Sequence, residues 1–269
     1  MVELFEQNIR EPGVLSSKGN QLKWENNNIW YKADYTGYEG LAEYVVSHLL
    51  HKSSLIDDEY VIYDLEQIKY KHTIYNGVRS KSFLKGSWQI ITLERLFKNM
   101  YNNSLNSMLW SISDIKERMQ FLEYQVGKIT GLKDFGLYLN KMFTIDAFFL
   151  NEDRHTHNIA VLVDADGRFD YCPMFDHGAS LLADTTMDYP MGEDVYSLMK
   201  EVKSKTLCTD FDEQLDVSEV LYGNNISFHF TKNDVRELID SCNYYSDEIK
   251  KRVATVLYCQ MDKYSYLFS

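Results

Sequence analysis

Two rhythms of apolar spacing divide the chain. Up to about residue 85 apolar and polar residues alternate in short runs, the period of a half-buried strand. From about residue 90 apolar residues recur every three or four positions, the period of a helix with one face in a core. The first runs predict a small antiparallel sheet over residues 13–35. Its strands are Gly13-Val-Leu-Ser-Ser17, Gln21-Leu-Lys-Trp-Glu25 and Ile29-Trp-Tyr-Lys-Ala33, separated by the turn-formers Ser17-Lys-Gly-Asn20 and Asn26-Asn-Asn28. A helix follows over residues 39–52, where Leu41, Val45, Val46, Leu49 and Leu50 share one face. Two further strands are predicted over 60–68 and 72–84, with Asn76-Gly77 as a turn or bulge.

Helical spacing then predicts helices at 92–99, 113–128, 133–149, 232–242 and 246–266. Thr231 and Ser246 stand at the N-cap positions of the last two, and Asp247 and Glu248 follow in the first turn of the final helix. One hairpin interrupts the helices: Asn158-Ile-Ala-Val-Leu-Val163 and Arg168-Phe-Asp-Tyr-Cys172, joined by Asp164-Ala-Asp-Gly167. The pattern is therefore α+β, with a β-rich part over residues 1–88 and a mainly helical part over 89–269, the change falling near 85–92.

Composition narrows the function classes. Only 3 prolines and 13 glycines argue against long linkers, and 20 Tyr with 14 Phe can fill large cores. Acids outnumber bases by 40 to 28, for a net charge of −12, which argues against a nucleic-acid binder because that binding rests on Lys and Arg against phosphates. The four cysteines, Cys172, Cys208, Cys242 and Cys259, form no CxxC pair, so reduced thiols are expected rather than a zinc knuckle or redox dithiol. The N-terminus lacks a basic-then-apolar leader, and no apolar run is long enough to span a bilayer. A soluble, cytoplasmic protein without a membrane contact is the expectation.

Three residues around the hairpin carry chemistry. Asp153 and Asn158 lie between a helix end and a strand start, and Asp176 follows the hairpin in Met174-Phe-Asp-His-Gly178. Phosphoryl transfer from ATP needs such a set: a carboxylate to orient the attacking hydroxyl and take its proton, and an amide oxygen with a second carboxylate to hold Mg²⁺. Oxygen donors suit Mg²⁺ better than zinc. The two ends of a hairpin meet in space, which brings Asn158 towards Asp176. An isolated Asp-Arg-His is more often a surface turn; here three matched features favour chemistry. Lys32, at the end of the third strand, is the candidate for the α/β-phosphates, with Glu43 from the next helix as its partner and Glu39 as the alternative. Ser16-Ser17-Lys18-Gly19, between the first two strands, is the candidate phosphate-covering loop; it departs from the Walker pattern.

Asn151-x-Asp-Arg-His-x-x-Asn158 followed by an apolar strand resembles the catalytic segment of HipA-like serine/threonine kinases. Ser17-Lys-Gly-Asn-Gln-Leu-Lys-Trp24, Tyr31-Lys-Ala-Asp34, Gly37-Tyr-Glu-Gly-Leu-Ala-Glu-Tyr44 and Phe175-Asp-His-Gly-Ala-Ser-Leu-Leu182 match in the same order. The resemblance implies a bilobal, protein-kinase-like fold that phosphorylates Ser or Thr of a protein. It implies Asp153 as catalytic base, Asn158 and Asp176 as Mg²⁺ ligands, and Lys32 as the ATP lysine. Some members phosphorylate a serine of their own phosphate loop, for which Ser16 and Ser17 are the matching positions. Some are toxins restrained by a DNA-binding antitoxin. Larger members carry an extra N-terminal subdomain of about a hundred residues; here the expectation is that it is absent or encoded separately, as a partner. Two alternatives share the motif: a small-molecule or phosphatidylinositol-type kinase, and a pseudokinase that binds without catalysis.

Overall fold

In the computed structural model, residues 1–9 and 21–268 are described. Among them the strands are β1 (Val2–Leu4), β2 (Lys23–Asn26), β3 (Ile29–Ala33), β4 (Asp64–Tyr70), β5 (Thr73–Lys81), β6 (Gln89–Thr92), β7 (Ala160–Val163) and β8 (Phe169–Tyr171). The helices are α1 (Glu39–Leu50), α2 (Leu93–Tyr101), α3 (Leu105–Trp110), α4 (Ile115–Thr130), α5 (Phe135–Phe149), α6 (Val195–Glu201), α7 (Phe211–Tyr222), α8 (Lys232–Asp240) and α9 (Asp247–Lys263). The architecture is α+β, a sheet-rich N-terminal part followed by a helical one.

The first sheet runs β1-β4-β5-β3-β2, with β1 parallel to β4 and the other pairs antiparallel. Trp24, Tyr31, Ile68 and Tyr70 pack on one face, Trp24 edge-on to Tyr70 with ring centroids 5.4 Å apart. α1 crosses this sheet at unusually close range. A methyl group on Gly40 would lie 2.8 Å from Gly77 Cα, and one on Gly77 would lie 2.1 Å from the Lys32 carbonyl oxygen. Gly40 thus lets the helix backbone touch β5, while Gly77 lets β5 lie against β3.

Asn76-Gly77 is therefore not a turn. Both residues lie inside β5, paired with β3 and β4, and the chain reverses at Lys71, which adopts φ 54°. The expected strand over 60–68 begins only at Asp64, Tyr60 making an isolated bridge to Met174. The segment near the pattern change is also more than a connector. Gln89–Thr92 forms β6 and pairs with β7, extending the predicted hairpin to three strands.

In the helical part, α5 is apolar nearly all round and almost wholly buried. α4, α7 and α9 surround it, and Phe148, Phe228, Phe230 and Phe268 cluster at its end. Tyr38, Leu41, Val45 and Leu49 belong to this same core, so α1 packs on the sheet with one side and on the helices with another. Thr92, Ser104, Asp114, Asp194, Asp210, Thr231 and Ser246 each accept a backbone N–H at a helix start. α3, α6 and α7 were not anticipated. α3 and α6 have 6 and 7 residues, too few turns for a periodic signal, and α7 is diluted by exposed acids such as Glu213 and Asp216.

The close α1–β5 approach is testable. Gly40→Ala should lower stability by about 1–3 kcal/mol through overpacking against the Gly77 backbone. Gly192→Ala, whose methyl would meet nothing within 4 Å, should stay within about 0.5 kcal/mol of wild type in the same urea titration.

Candidate functional site

Three elements converge on one ammonium group. β3 presents Lys32 from its penultimate position, and α1 presents Glu43 from its second turn. The stretch after β8 delivers Asp176, whose backbone sits at φ 62°. Lys32 Nζ donates to Glu43 Oε1 at 2.5 Å and to Asp176 Oδ1 at 2.7 Å, with the Tyr63 hydroxyl at 3.5 Å. Glu43 Oε2 accepts the His177 N–H at 2.8 Å, so the glutamate grips both the lysine and the residue after Asp176. Lys23, directly across from Lys32 in the β2–β3 register, places its ammonium 3.9 Å from Asp176 Oδ2.

Two ammonium groups and two carboxylates are thereby held together, Glu43 buried and the other three partly so. Burial opposes the charge on Lys32, but Asp176 and Glu43 outweigh it and hold the lysine pKa well above its ordinary value. Burial also opposes the charge on Asp176, yet Lys23 and Lys32 hold it well below the usual carboxylate range. Glu43 is pushed up, by burial first and by the negative Asp176 beside it, against the pull of Lys32. Burial pushes Lys23 down, with Asp176 opposing.

The loop 151–158 is organised by a buried arginine. Arg154 Nε meets Asp146 Oδ2 of α5 at 3.0 Å and Nη2 meets Oδ1 at 3.1 Å. Nη1 donates to the carbonyls of Asn158 at 3.1 Å and Phe175 at 2.8 Å, and Nη2 lies 3.2 Å from His177 Nδ1. One guanidinium thus ties α5, the loop and the Asp176 segment together. Asn151 Nδ2 adds a bond to Asp146 at 2.8 Å, and the Thr156 hydroxyl donates to buried Glu94 at 2.8 Å.

Within that frame Asn158 Nδ2 donates to the Asp153 carbonyl at 2.9 Å. Asn158 Oδ1 is buried and has no hydrogen-bond partner, an acceptor left available on the loop that also carries Asp153. His155 Nδ1 accepts the His157 N–H at 3.1 Å, so the neutral ring carries its proton on Nε2, 3.8 Å from Asp153 Oδ1. Burial, and then His157, push the His155 pKa down to about 4, which keeps that ring neutral.

Lys32, Glu43 and Asp176 are in direct contact, and Asp153 and Asn158 share the adjoining loop. Glu39 does not reach Lys32. Its carboxylate accepts the N–H groups of Thr36 at 2.7 Å and Gly37 at 3.1 Å, holding the turn before α1. Ser16, Ser17, Lys18 and Gly19, and the strand expected at 13–17, lie outside the described residues. Several participants escaped the sequence reading. Lys23 was assigned only to a strand, although its register opposite Lys32 was readable from the predicted hairpin. Arg154 stands in the motif, but its partner Asp146 lies in a helix that reads as pure core. Beside Lys32 a cavity of about 110 Å³ is lined largely by apolar groups, including Val61, Tyr63, Phe83, Ile90 and Phe175; these come from four separate segments, and no local pattern joins them.

No family model matches the chain, and no curated protein matches it in sequence. Thirty chains of solved structures do match. One is a proinflammatory kinase, CtkA, of Helicobacter pylori, with a TM-score of 0.60 and 18% identity over 97% of this chain and 95% of that one. Another is HipA of Shewanella oneidensis, solved with HipB and operator DNA, with a TM-score of 0.49 and 11% identity over 94% of this chain and 66% of that one. At 18% identity, the likeness to CtkA shows a kinase-like fold. Among the described residues no helix is long and apolar enough to cross a membrane.

Arg154→Met should cost about 3–5 kcal/mol in chemical denaturation, because it strands the buried Asp146 carboxylate. Adding Asp146→Asn to that variant should recover part of the loss.

Proposed function

We propose that this protein is an ATP- and Mg²⁺-dependent kinase that transfers the γ-phosphate to Ser or Thr of a protein. The observation that carries the reading is the single ammonium of Lys32 shared by Glu43 and Asp176, beside an Asn158 oxygen that has no partner. A structural ion pair would need only one carboxylate, whereas a phosphate-contacting lysine has to be held in place and still reach anionic oxygen. The apolar cavity next to Lys32 has the lining expected for a planar base.

The chain's own residues divide the work. Lys32 contacts the phosphates, and Glu43 keeps its ammonium from collapsing onto Asp176 alone. Asp153 accepts a hydrogen bond from the incoming hydroxyl and takes its proton as the new oxygen–phosphorus bond forms and the bond from the γ-phosphorus to the β-phosphate oxygen breaks, releasing ADP. Neutral His155, with Nε2 3.8 Å from Asp153 Oδ1, lies beside the carboxylate without removing its charge. Asn158 Oδ1 and Asp176 fit a hard cation, both being oxygen donors, and would hold Mg²⁺ together with phosphate oxygens. Magnesium, when bound, neutralises charge on the phosphates. An open cleft of about 490 Å³, lined by Glu94, Trp110, His155, His157 and Lys205 among others, gives an acceptor segment access to the loop. Specificity for protein Ser or Thr, self-phosphorylation at Ser16 or Ser17, and a toxin role with an antitoxin partner rest on the motif resemblance alone.

Incubation with labelled ATP and a mixed protein extract, in parallel with phosphoinositide vesicles and with no acceptor, tests the reading. Label on protein Ser or Thr is expected; label only on lipid, or none with any acceptor, would overturn the protein-kinase assignment. Asp153→Asn should reduce transfer at least about a hundredfold while Mg·ATP affinity by calorimetry stays within a few-fold. Asp176→Asn should weaken Mg·ATP binding more than Asp153→Asn does. Equal affinities for the two variants would remove Asp176 from the metal set.

A further inference from the structure

The Lys32–Glu43 contact requires α1 to sit at a fixed distance from β3, and a second set of bonds outside that cluster governs this distance. Asp34 follows Lys32 by two residues, just beyond the end of β3. Its Oδ1 accepts the Gly40 N–H in the first turn of α1 at 2.6 Å, three residues before Glu43. Its Oδ2 accepts the Tyr245 hydroxyl at 2.9 Å, in the segment joining α8 to α9. That segment grips the N-terminal part again: Asn76 Nδ2 of β5 donates to the Tyr244 carbonyl at 2.9 Å, and the Tyr44 hydroxyl of α1 lies 3.5 Å from Ser241 Oγ. Asp34 thus bonds at once to the start of α1 and to the α8–α9 segment, from a position next to the lysine strand. Tyr245 is largely buried, so its hydroxyl has little water to exchange into.

We propose that Asp34 and Tyr245 are positioning residues that clamp the first turn of α1 between β3 and the α8–α9 segment, and so set the Lys32–Glu43 separation. The link to nucleotide binding rests on the kinase reading given above. Burial first, and then the charge of Glu39, lift the Asp34 pKa to about 7, so near neutrality the site works with a carboxyl that is partly protonated. An amide can therefore replace it, accepting from Gly40 through its oxygen and donating to the Tyr245 oxygen through its nitrogen. The clamp also fixes α1 to the helical part, so that Glu43 meets Lys32 in the isolated chain with no partner to press the helix inwards.

The test compares the full chain with Tyr245→Phe, Asp34→Ala and Asp34→Asn, using amide hydrogen exchange, Mg·ATP calorimetry and thermal melting. Tyr245→Phe and Asp34→Ala should speed exchange at residues 42–46 and weaken Mg·ATP binding by about tenfold, the loss expected for one hydrogen bond. Asp34→Asn should stay near wild type in both. A purely structural role would lower the melting temperature and raise exchange throughout the chain, with Asn no better than Ala. That result, or unchanged exchange at 42–46 in both disruptive variants, would overturn the clamp. If wild type binds no Mg·ATP the kinase reading fails, and the exchange data still decide the clamp by the same criteria.

Discussion

The Arg154–Asp146 pair is the contact on which the site's geometry depends. Burying two charges costs several kcal/mol each, and the pair's mutual attraction alone repays this poorly. What tips the balance is the remaining donor capacity of the guanidinium. It satisfies the carbonyls of Asn158 and Phe175, which belong to irregular backbone and have no ladder to join. Replacing the pair by apolar groups would leave those carbonyls orphaned, at a cost of about 1–3 kcal/mol each. The same bonds fix the loop bearing Asp153 and Asn158 against the segment bearing Asp176. Folding stability and the geometry of the candidate site are here one constraint.

The ionic cluster is built on that frame from the opposite side. Asp176 is held from below by its neighbours' bonds to Arg154, and from above by Lys32 and Lys23. Glu43 closes the arrangement through the His177 N–H, so the backbone after Asp176 and the lysine share one glutamate. α1 can serve in this way because it belongs to two packings. Its glycine lets it press on β5, and its apolar face enters the helical core. A helix anchored on one side only would leave Glu43 free to swing.

Much of this was legible in the sequence, and the limits have physical causes. Lys32, Glu43 and Asp176 were readable because each sits in a local pattern: a strand end, a helical face, a hairpin's far end. The choice of Glu43 over Glu39 was resolved in space, where Glu39 is occupied by the N–H groups of Thr36 and Gly37. Asn76-Gly77 misled because an Asn-Gly pair is the strongest short turn signal, whereas here the glycine serves a backbone contact with β3. Asp146 could not be found at all, since nothing in a helix reading Phe-Thr-Ile-Asp-Ala-Phe-Phe announces that its one acid faces an arginine eight residues on. β6 was hidden at the change of pattern, because its partner β7 lies some 70 residues away and only the pairing makes it a strand.

The backbone after Asp176 shows how the fold sustains what local preference opposes. Leu181 and Leu182 adopt φ 58° and 60°, and Leu150, at the end of α5, adopts φ 55°. The left-handed region costs a side-chain-bearing residue about 1–2 kcal/mol. Leu181 and Leu182 are all but fully buried, and removing a leucine side chain from water is worth about 1.5–3 kcal/mol. Burial therefore meets the strain, and hydrogen bonds add to it. Leu181 N–H donates to the Phe149 carbonyl at 2.9 Å, while the Leu181 carbonyl accepts the Tyr38 hydroxyl at 2.8 Å. Those bonds tie the turn after Asp176 to the last residue of α5 and to the residue that begins α1. Gly37 completes the contact: a methyl group there would lie 1.9 Å from the Ala183 carbonyl oxygen. The strained residues thus stand where the chain must turn back sharply enough to bring the loop of Asp153, the segment of Asp176 and the helix of Glu43 to one place. A relaxed backbone at Leu181 and Leu182 would give up both the buried leucines and the seat of α1, which is why the strain persists.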